Sequence, residues 1–164
     1  GHEGETRGRV GNFSVVLIRR GMTEMSNVHE HRIRVRYAEC DAMGYLHHAN
    51  YLVYLEEART AALREQGIAY RDLEREGVFF VVASATCRFL RPIRYDDVVT
   101  VHTCIERFTR TRIDHKYEVY RDEALCCQAT TTLACVGRDG KPIVMPDRIW
   151  STHQIAKPRR ATRE

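Results

Sequence analysis

The stretch Ala49-Asn-Tyr-Leu-Val-Tyr-Leu-Glu-Glu-Ala-Arg-Thr-Ala-Ala-Leu-Arg-Glu-Gln66 decides how the rest of the chain is read. Tyr51, Leu52, Leu55, Ala58, Ala62 and Leu63 recur at the i, i+3, i+4, i+7 spacing of a helix with one apolar face. Glu56, Glu57, Arg64 and Glu65 fall largely on the other faces, and Gly67 is a natural stop. About 18 residues rising about 1.5 Å each span roughly 27 Å, enough to cross a whole sheet. Ala58, Ala61 and Ala62 would let that sheet approach closely.

The flanks supply the sheet. Arg32–Tyr37 alternates Ile33, Val35 and Tyr37 with Arg32, Arg34 and Arg36, the period-2 pattern of a strand with one wet face. Glu39–His48 has no periodicity and reads as a loop. Beyond the helix, Arg71–Gly77 reads as a polar connector forming a second short helix. Val78–Leu90 is long and β-rich and is closed by Pro92. Val98–Phe108, Ile113–Tyr120 and Ala124–Val136 follow, with turn chemistry at Arg121–Glu123 and Arg138–Gly140. Pro146 is placed to open a final helix to His153. One strand, one long helix and four strands on short connections predict an α+β fold with a five-stranded antiparallel sheet. One helix covers one face of such a sheet, so self-association is expected.

A length of 164 residues favours a single domain. Its expected limits are 29–150, after an N-terminal extension over 1–28 and before a basic tail over 151–164. Gly1-His2 resembles the scar of a cleaved tag, and Met22 or Met25 is a candidate natural start. Phe13–Ile18 is apolar but far short of the roughly 18 residues a membrane helix needs. It has no small-residue cleavage site after it, and adding an edge strand is its other reading. The expectation is a cytoplasmic protein with no stable membrane insertion. The net charge of +4 suits a polyanionic small ligand or a weak nucleic-acid contact, and charge alone does not choose between them. The aromatic residues follow strand and helix patterns rather than an RNA-binding motif, so no nucleic-acid partner is expected. The six cysteines form no CxxC pair and read as reduced core thiols.

Chemistry concentrates in Arg34-Val-Arg-Tyr-Ala-Glu-Cys-Asp41-Ala-Met-Gly44-Tyr-Leu-His-His48-Ala-Asn50-Tyr51. It places an acid in a glycine-containing loop just ahead of a helix. The first N–H groups of a helix lack internal partners and carry partial positive charge. They can polarise a carbonyl and stabilise the oxyanion formed when it is attacked. A carboxylate beside that carbonyl can serve as nucleophile or deprotonate water. The ordinary role of an Asp here is an Asx-turn or a helix cap. Asp41 lies several residues before the helical periodicity, however, and Asn50 or an upstream residue is better placed to cap. His47-His48 has no third ligand at convincing spacing, so no metal is expected.

This stretch resembles the signature of the 4-hydroxybenzoyl-CoA thioesterase family, particularly its YbgC-like acyl-CoA thioesterase branch. The resemblance runs through Tyr51–Arg59 and Phe89–Asp97 and covers about residues 30–150. The signature Asp falls on Asp41, the Gly on Gly44, the His on His48 and the aromatic on Tyr51. One departure is visible: Tyr45-Leu46 replaces the usual small β-branched pair where the acyl pocket is expected. The resemblance implies a hot-dog fold, with the sheet wrapped around the central helix. It further implies homodimers, often assembled into homotetramers, with active sites at the subunit interface. The implied reaction is hydrolysis of a short-chain or aryl acyl-CoA by Asp41, with the His48 N–H as oxyanion donor. Coenzyme A is then part of the substrate, and no cofactor is expected.

The candidate residues are therefore Asp41 and His48 for catalysis and Tyr37, Gly44, Tyr45, Tyr51 and Glu56 for substrate binding. Arg88, Arg91 and Arg110 are candidates for the CoA phosphates. Glu56 or Glu57 would replace Asp41 in hot-dog enzymes that use a helix Glu, although pairing with Arg59 or Arg64 is the plainer role. Two further readings stand beside the hydrolase. A hydratase needs an acid–base pair in a different motif, and a non-catalytic acyl-CoA sensor or scaffold would bind without turnover.

Overall fold

The computed structural model describes residues 28–156. The segment Phe13–Ile18, the proposed tag remnant and the candidate start residues lie outside the described residues. In chain order the elements are β1 (His29–Arg34), a 3-10 turn (Tyr37–Glu39), α1 (His48–Glu65), α2 (Tyr70–Arg75), β2 (Phe79–Phe89), β3 (Val98–Phe108), β4 (Arg112–Arg121), β5 (Ala124–Val136) and α3 (Asp147–Ala156). The five strands form one sheet in the order β1-β3-β4-β5-β2, antiparallel throughout. The sheet wraps α1, which is the hot-dog arrangement. α3, the helix expected after Pro146, runs to Ala156 and buries Ile149.

The tight links of the sheet have local causes. Asp122 takes the left-handed conformation, with φ of 52°, in the turn that returns β4 into β5. Along β4 and β5, Tyr117, Val119, Cys127 and Ala129 face α1, where Leu55 and Ala58 are fully buried. The alanine allows the close approach its small side chain suggests. A second group of apolar residues, including Leu73, Ile113, Leu133, Met145 and Ile149, packs α2 and α3 against the sheet. All six cysteines are free thiols. No helix among the described residues is long and apolar enough to cross a membrane.

Two expectations are corrected. β1 stops at Arg34, and Tyr37 is 80% exposed rather than continuing the strand's inward row. The chain leaves the sheet because Val35 is tied by both its N–H and its carbonyl to Asp97 and Asp96. Arg36 and Glu39 then close the 3-10 turn, which breaks the alternation. On α1, Tyr54 is buried while Leu52 is 44% exposed, so the inward stripe is rotated from the one the periodicity suggested.

Candidate active site

The loop between the 3-10 turn and α1 is a miniature hairpin. The His47 N–H donates to the Glu39 carbonyl at 2.9 Å, Cys40 bridges Leu46, and the Asp41 N–H donates to the Tyr45 carbonyl at 2.8 Å. Gly44 closes the tip with φ of +76°, a conformation that side chains with a Cβ rarely adopt. The outer arm is stitched to the segment after β2. The Leu46 N–H donates to the Ile93 carbonyl at 2.7 Å, and Tyr45 bridges Arg94, whose guanidinium also lies over the Tyr45 ring.

Asp41 sits at the tip with its carboxylate in asymmetric use. Oδ1 accepts the Met43 N–H at 2.9 Å and the Tyr45 N–H at 3.1 Å, so an Asx-type turn is present. Oδ2 accepts no hydrogen bond among the described residues. The turn and the free oxygen are compatible: one oxygen holds the carboxylate in orientation and the other is left for chemistry.

The hairpin ends at the entrance of α1. The cap is His47, whose ring Nδ1 accepts the Ala49 N–H at 3.1 Å. Of the expected caps, Asn50 or an upstream residue, it is the upstream His47 that caps, while Asn50 donates its side-chain amide to the Glu39 carbonyl at 2.9 Å and its N–H to the His47 carbonyl. The His48 N–H, at the first helical position, has no acceptor among the described residues. That is the donor an oxyanion would need.

An open pocket of about 300 Å³ is lined by Asp41, Tyr45, Leu46, His48, Tyr51, Phe89, Leu90, Arg91 and Pro92. Asp41, His48, Tyr45, Tyr51 and Arg91 of the sequence candidates thus meet in one place. Tyr51 and Phe89 meet edge to face, with centroids 4.8 Å apart. Burial pushes the Tyr51 phenol well above its usual range, so it lines the wall as a neutral group. The His48 ring stacks on His47 at 4.1 Å, and among the described residues no hydrogen bond joins it to Asp41.

The other candidates lie elsewhere. Gly44 shapes the tip without lining the pocket. Tyr37 is outside it, edge-on to Tyr95 at 5.5 Å. Glu56 is exposed and pairs with Arg59 at 3.3 Å, while Glu57 meets His31 at 2.8 Å. Arg88 is exposed on β2, one residue before Phe89. Arg110 is bonded to Asp147 at 2.7 Å and lies over the Trp150 ring. Phe89, Leu90 and Pro92 were not singled out as site residues. Their signal was position, since they fall within the second segment of the resemblance. Among the described residues no cluster of His, Cys, Asp or Glu could hold a metal. Burial pushes the Cys127 thiol up to about 12 and the Cys104 thiol up to about 11, leaving neither a ready nucleophile.

Comparison with known proteins agrees with this geometry. The family profile of the thioesterase-like superfamily matches residues 35–152. The putative acyl-CoA thioesterase YneP of Bacillus subtilis is 37% identical over 132 residues, spanning 77% of this chain and 94% of that protein. The acyl-CoA thioester hydrolase YbgC of Escherichia coli is 32% identical over 119 residues, covering 71% of this chain and 89% of its own. Among solved structures, the DHNA-CoA thioesterase of Staphylococcus aureus superposes with a TM-score of 0.73 at 32% identity, covering 79% of this chain and 87% of that one. A protein from Thermus thermophilus reaches 0.75 at 34% identity, covering 78% and 98%. With the loop, the helix entrance and the wrapped sheet all in place, the chain belongs to the thioesterase-like superfamily.

Proposed function

We propose that the protein hydrolyses a short-chain or aryl acyl-CoA thioester to the free acid and coenzyme A, in the cytoplasm. The observation that carries this reading is the pairing of a half-anchored carboxylate with an unfilled helix entrance. Asp41 has Oδ2 free at the rim of the pocket, and the His48 N–H lacks an acceptor. The thioester carbonyl lies between them. Asp41 attacks its carbon, directly or through a water it deprotonates, and the oxygen gathers negative charge toward the His48 N–H. The carbon–sulfur bond breaks and CoA leaves as a thiolate; water supplies the hydroxyl of the released acid, and its other proton, taken up by Asp41, passes to the CoA sulfur. The pocket volume and the Tyr45, Tyr51 and Phe89 rings favour a small or aromatic acyl group. Arg91, which lines the pocket, is the proposed contact for the phosphates.

The working unit proposed is a homodimer joined along β2. This strand is a sheet edge of 11 residues that leaves Val81, Val82 and Phe89 exposed, with Leu90 exposed just after it. Leu52 and Val53 on α1 are exposed as well. Such an edge attracts a second strand, and the pocket walls Phe89 and Leu90 would then sit beside the junction. Sedimentation equilibrium is expected to return twice the chain mass, or four times where two dimers assemble into a homotetramer; a single-chain mass at assay concentration would refute the dimer.

The direct test is turnover of short-chain, long-chain and aryl-CoA thioesters by the purified protein, with Asp41→Asn in parallel. The substitution is expected to lower the rate about a hundredfold or more while leaving the melting temperature nearly unchanged. Undiminished turnover in the variant would overturn the role of Asp41. Binding of CoA thioesters with no turnover by the native protein would support a sensor instead.

A further inference from the structure

Glu39 lies two residues ahead of Asp41 and is only 7% exposed. A buried carboxylate is costly unless every oxygen is satisfied, and here both are. Oε1 accepts Nε and Nη2 of Arg36 at 3.0 and 2.7 Å. Oε2 accepts the Arg36 N–H at 2.9 Å and the Tyr54 hydroxyl at 2.5 Å. Burial alone would raise the Glu39 pKa, but the hydrogen bonds from Arg36 and Tyr54 outweigh it and hold the group below its usual range. Burial, with the neighbouring carboxylate, pushes the Tyr54 phenol far up, so it remains a donor. The Glu39 backbone carbonyl meanwhile accepts the His47 N–H and the Asn50 amide.

Neither Glu39 nor Tyr54 lines the pocket. We infer that they form a positioning pair, which sets the distance between the Asp41 carboxylate and the His48 N–H without touching substrate. The inference rests on the reading of Asp41 as the catalytic carboxylate. The hairpin is stiffened along its length by its own backbone bonds, yet a stiff hairpin can still pivot where it meets the helix. Its base is pinned to the first turn of α1 through His47 and Asn50. The outer arm is held to Ile93 and Arg94 through Leu46 and Tyr45, whereas the arm that carries Asp41 reaches a second point on the helix, Tyr54, through the Glu39 carboxylate, and two points on the helix fix the tilt of that arm where one does not. Releasing the second point leaves Asp41 intact but displaced from the donor, and small misplacements of reacting groups are costly in rate.

Tyr54→Phe removes the hydroxyl and keeps the ring packing. It is expected to lower kcat about tenfold, with KM within about twofold of the native value. Tyr70→Phe is the control, because the Tyr70 hydroxyl also bridges secondary structure, accepting the Phe80 N–H at 3.0 Å, but away from the site. It should show a comparable change in melting temperature with native kcat. Glu39→Gln, which retains an acceptor oxygen, should fall less in kcat than Glu39→Ala. Native turnover with an inactive Asp41→Asn but a fully active Tyr54→Phe overturns the positioning role alone. Equal loss of kcat in Tyr54→Phe and Tyr70→Phe does the same, since the effect would then be one of stability. Absence of turnover in the native protein overturns both the positioning role and the reading of Asp41.

Discussion

The two apolar clusters of this molecule are built from different materials. The one beneath α1 contains Tyr51, Tyr54 and Tyr117 among its valines and cysteines. Two of these place hydroxyls in the interior: Tyr54 donates to Glu39, and Tyr117 shares a hydrogen bond with Thr131 at 2.9 Å. The fully buried part of the cluster beneath α2 and α3 is aliphatic and sulfur-containing, made of residues such as Ile68, Leu73, Val78, Leu133 and Met145, with Tyr70, Phe80 and Phe108 only partly buried at its edge. Aliphatic packing is non-directional and contributes stability in proportion to area. Buried hydroxyls contribute little net stability but require particular angles and partners. If Glu39 and Tyr54 position Asp41 as inferred, the contrast separates two tasks: the first cluster aims the Asp41 loop, and the second packs α2 and α3 against the sheet.

The sharpest way to break that division is Leu73→Ala. Leu73 is fully buried in the second cluster, and truncation of a buried leucine costs about 2–5 kcal/mol through lost burial and the cavity left behind. Urea unfolding should register that loss. The folded enzyme should keep its native kcat and KM at a temperature where it remains folded. A kcat that falls together with stability would mean the clusters are mechanically one.

The same contrast explains what could be read in advance. Val98–Phe108 and Ala124–Val136 were legible strands because sustained alternation and β-branched content leave few other outcomes. Asp41, Tyr45, His48 and Tyr51 could be grouped from the sequence because they lie within one short stretch, which the fold keeps around one pocket. Tyr37 was misplaced because alternation says nothing about where a strand stops, and the stop here depends on the distant Asp96 and Asp97. The helix cap was narrowed only to Asn50 or a residue upstream of it, because histidine, which caps here as His47, is outside the usual capping set. Glu39 was read as loop because its partner on the helix, Tyr54, is a tertiary neighbour. The local trace it leaves is Arg36 three residues earlier, and such acid–base spacings are too common to single one out.

Arg91 and Arg110 carry the comparison to its smallest effects, since both were candidates for the CoA phosphates and each belongs to a different region. Arg91 lines the pocket, with Nη1 donating to the Leu125 carbonyl at 2.6 Å. Anchored by one nitrogen, it keeps other donors for an anion, and a hydrogen bond to a charged group is worth about 1.5 kcal/mol or more. Arg91→Ala should therefore raise KM for a CoA thioester about tenfold. A truncated thioester carrying only the pantetheine portion should show little of this change, because it lacks the phosphates. Arg110 instead fastens α3, through Asp147 and the face of Trp150, which itself packs on Phe108. Its removal should cost about 0.5–1 kcal/mol, the range of a half-exposed cation–π contact, and lower the melting temperature by a few degrees. KM should stay at the native value for both substrates. If Arg110→Ala raised KM for the full CoA thioester but not for the truncated one, the second cluster would reach the substrate after all, and the division of labour would fail at that point.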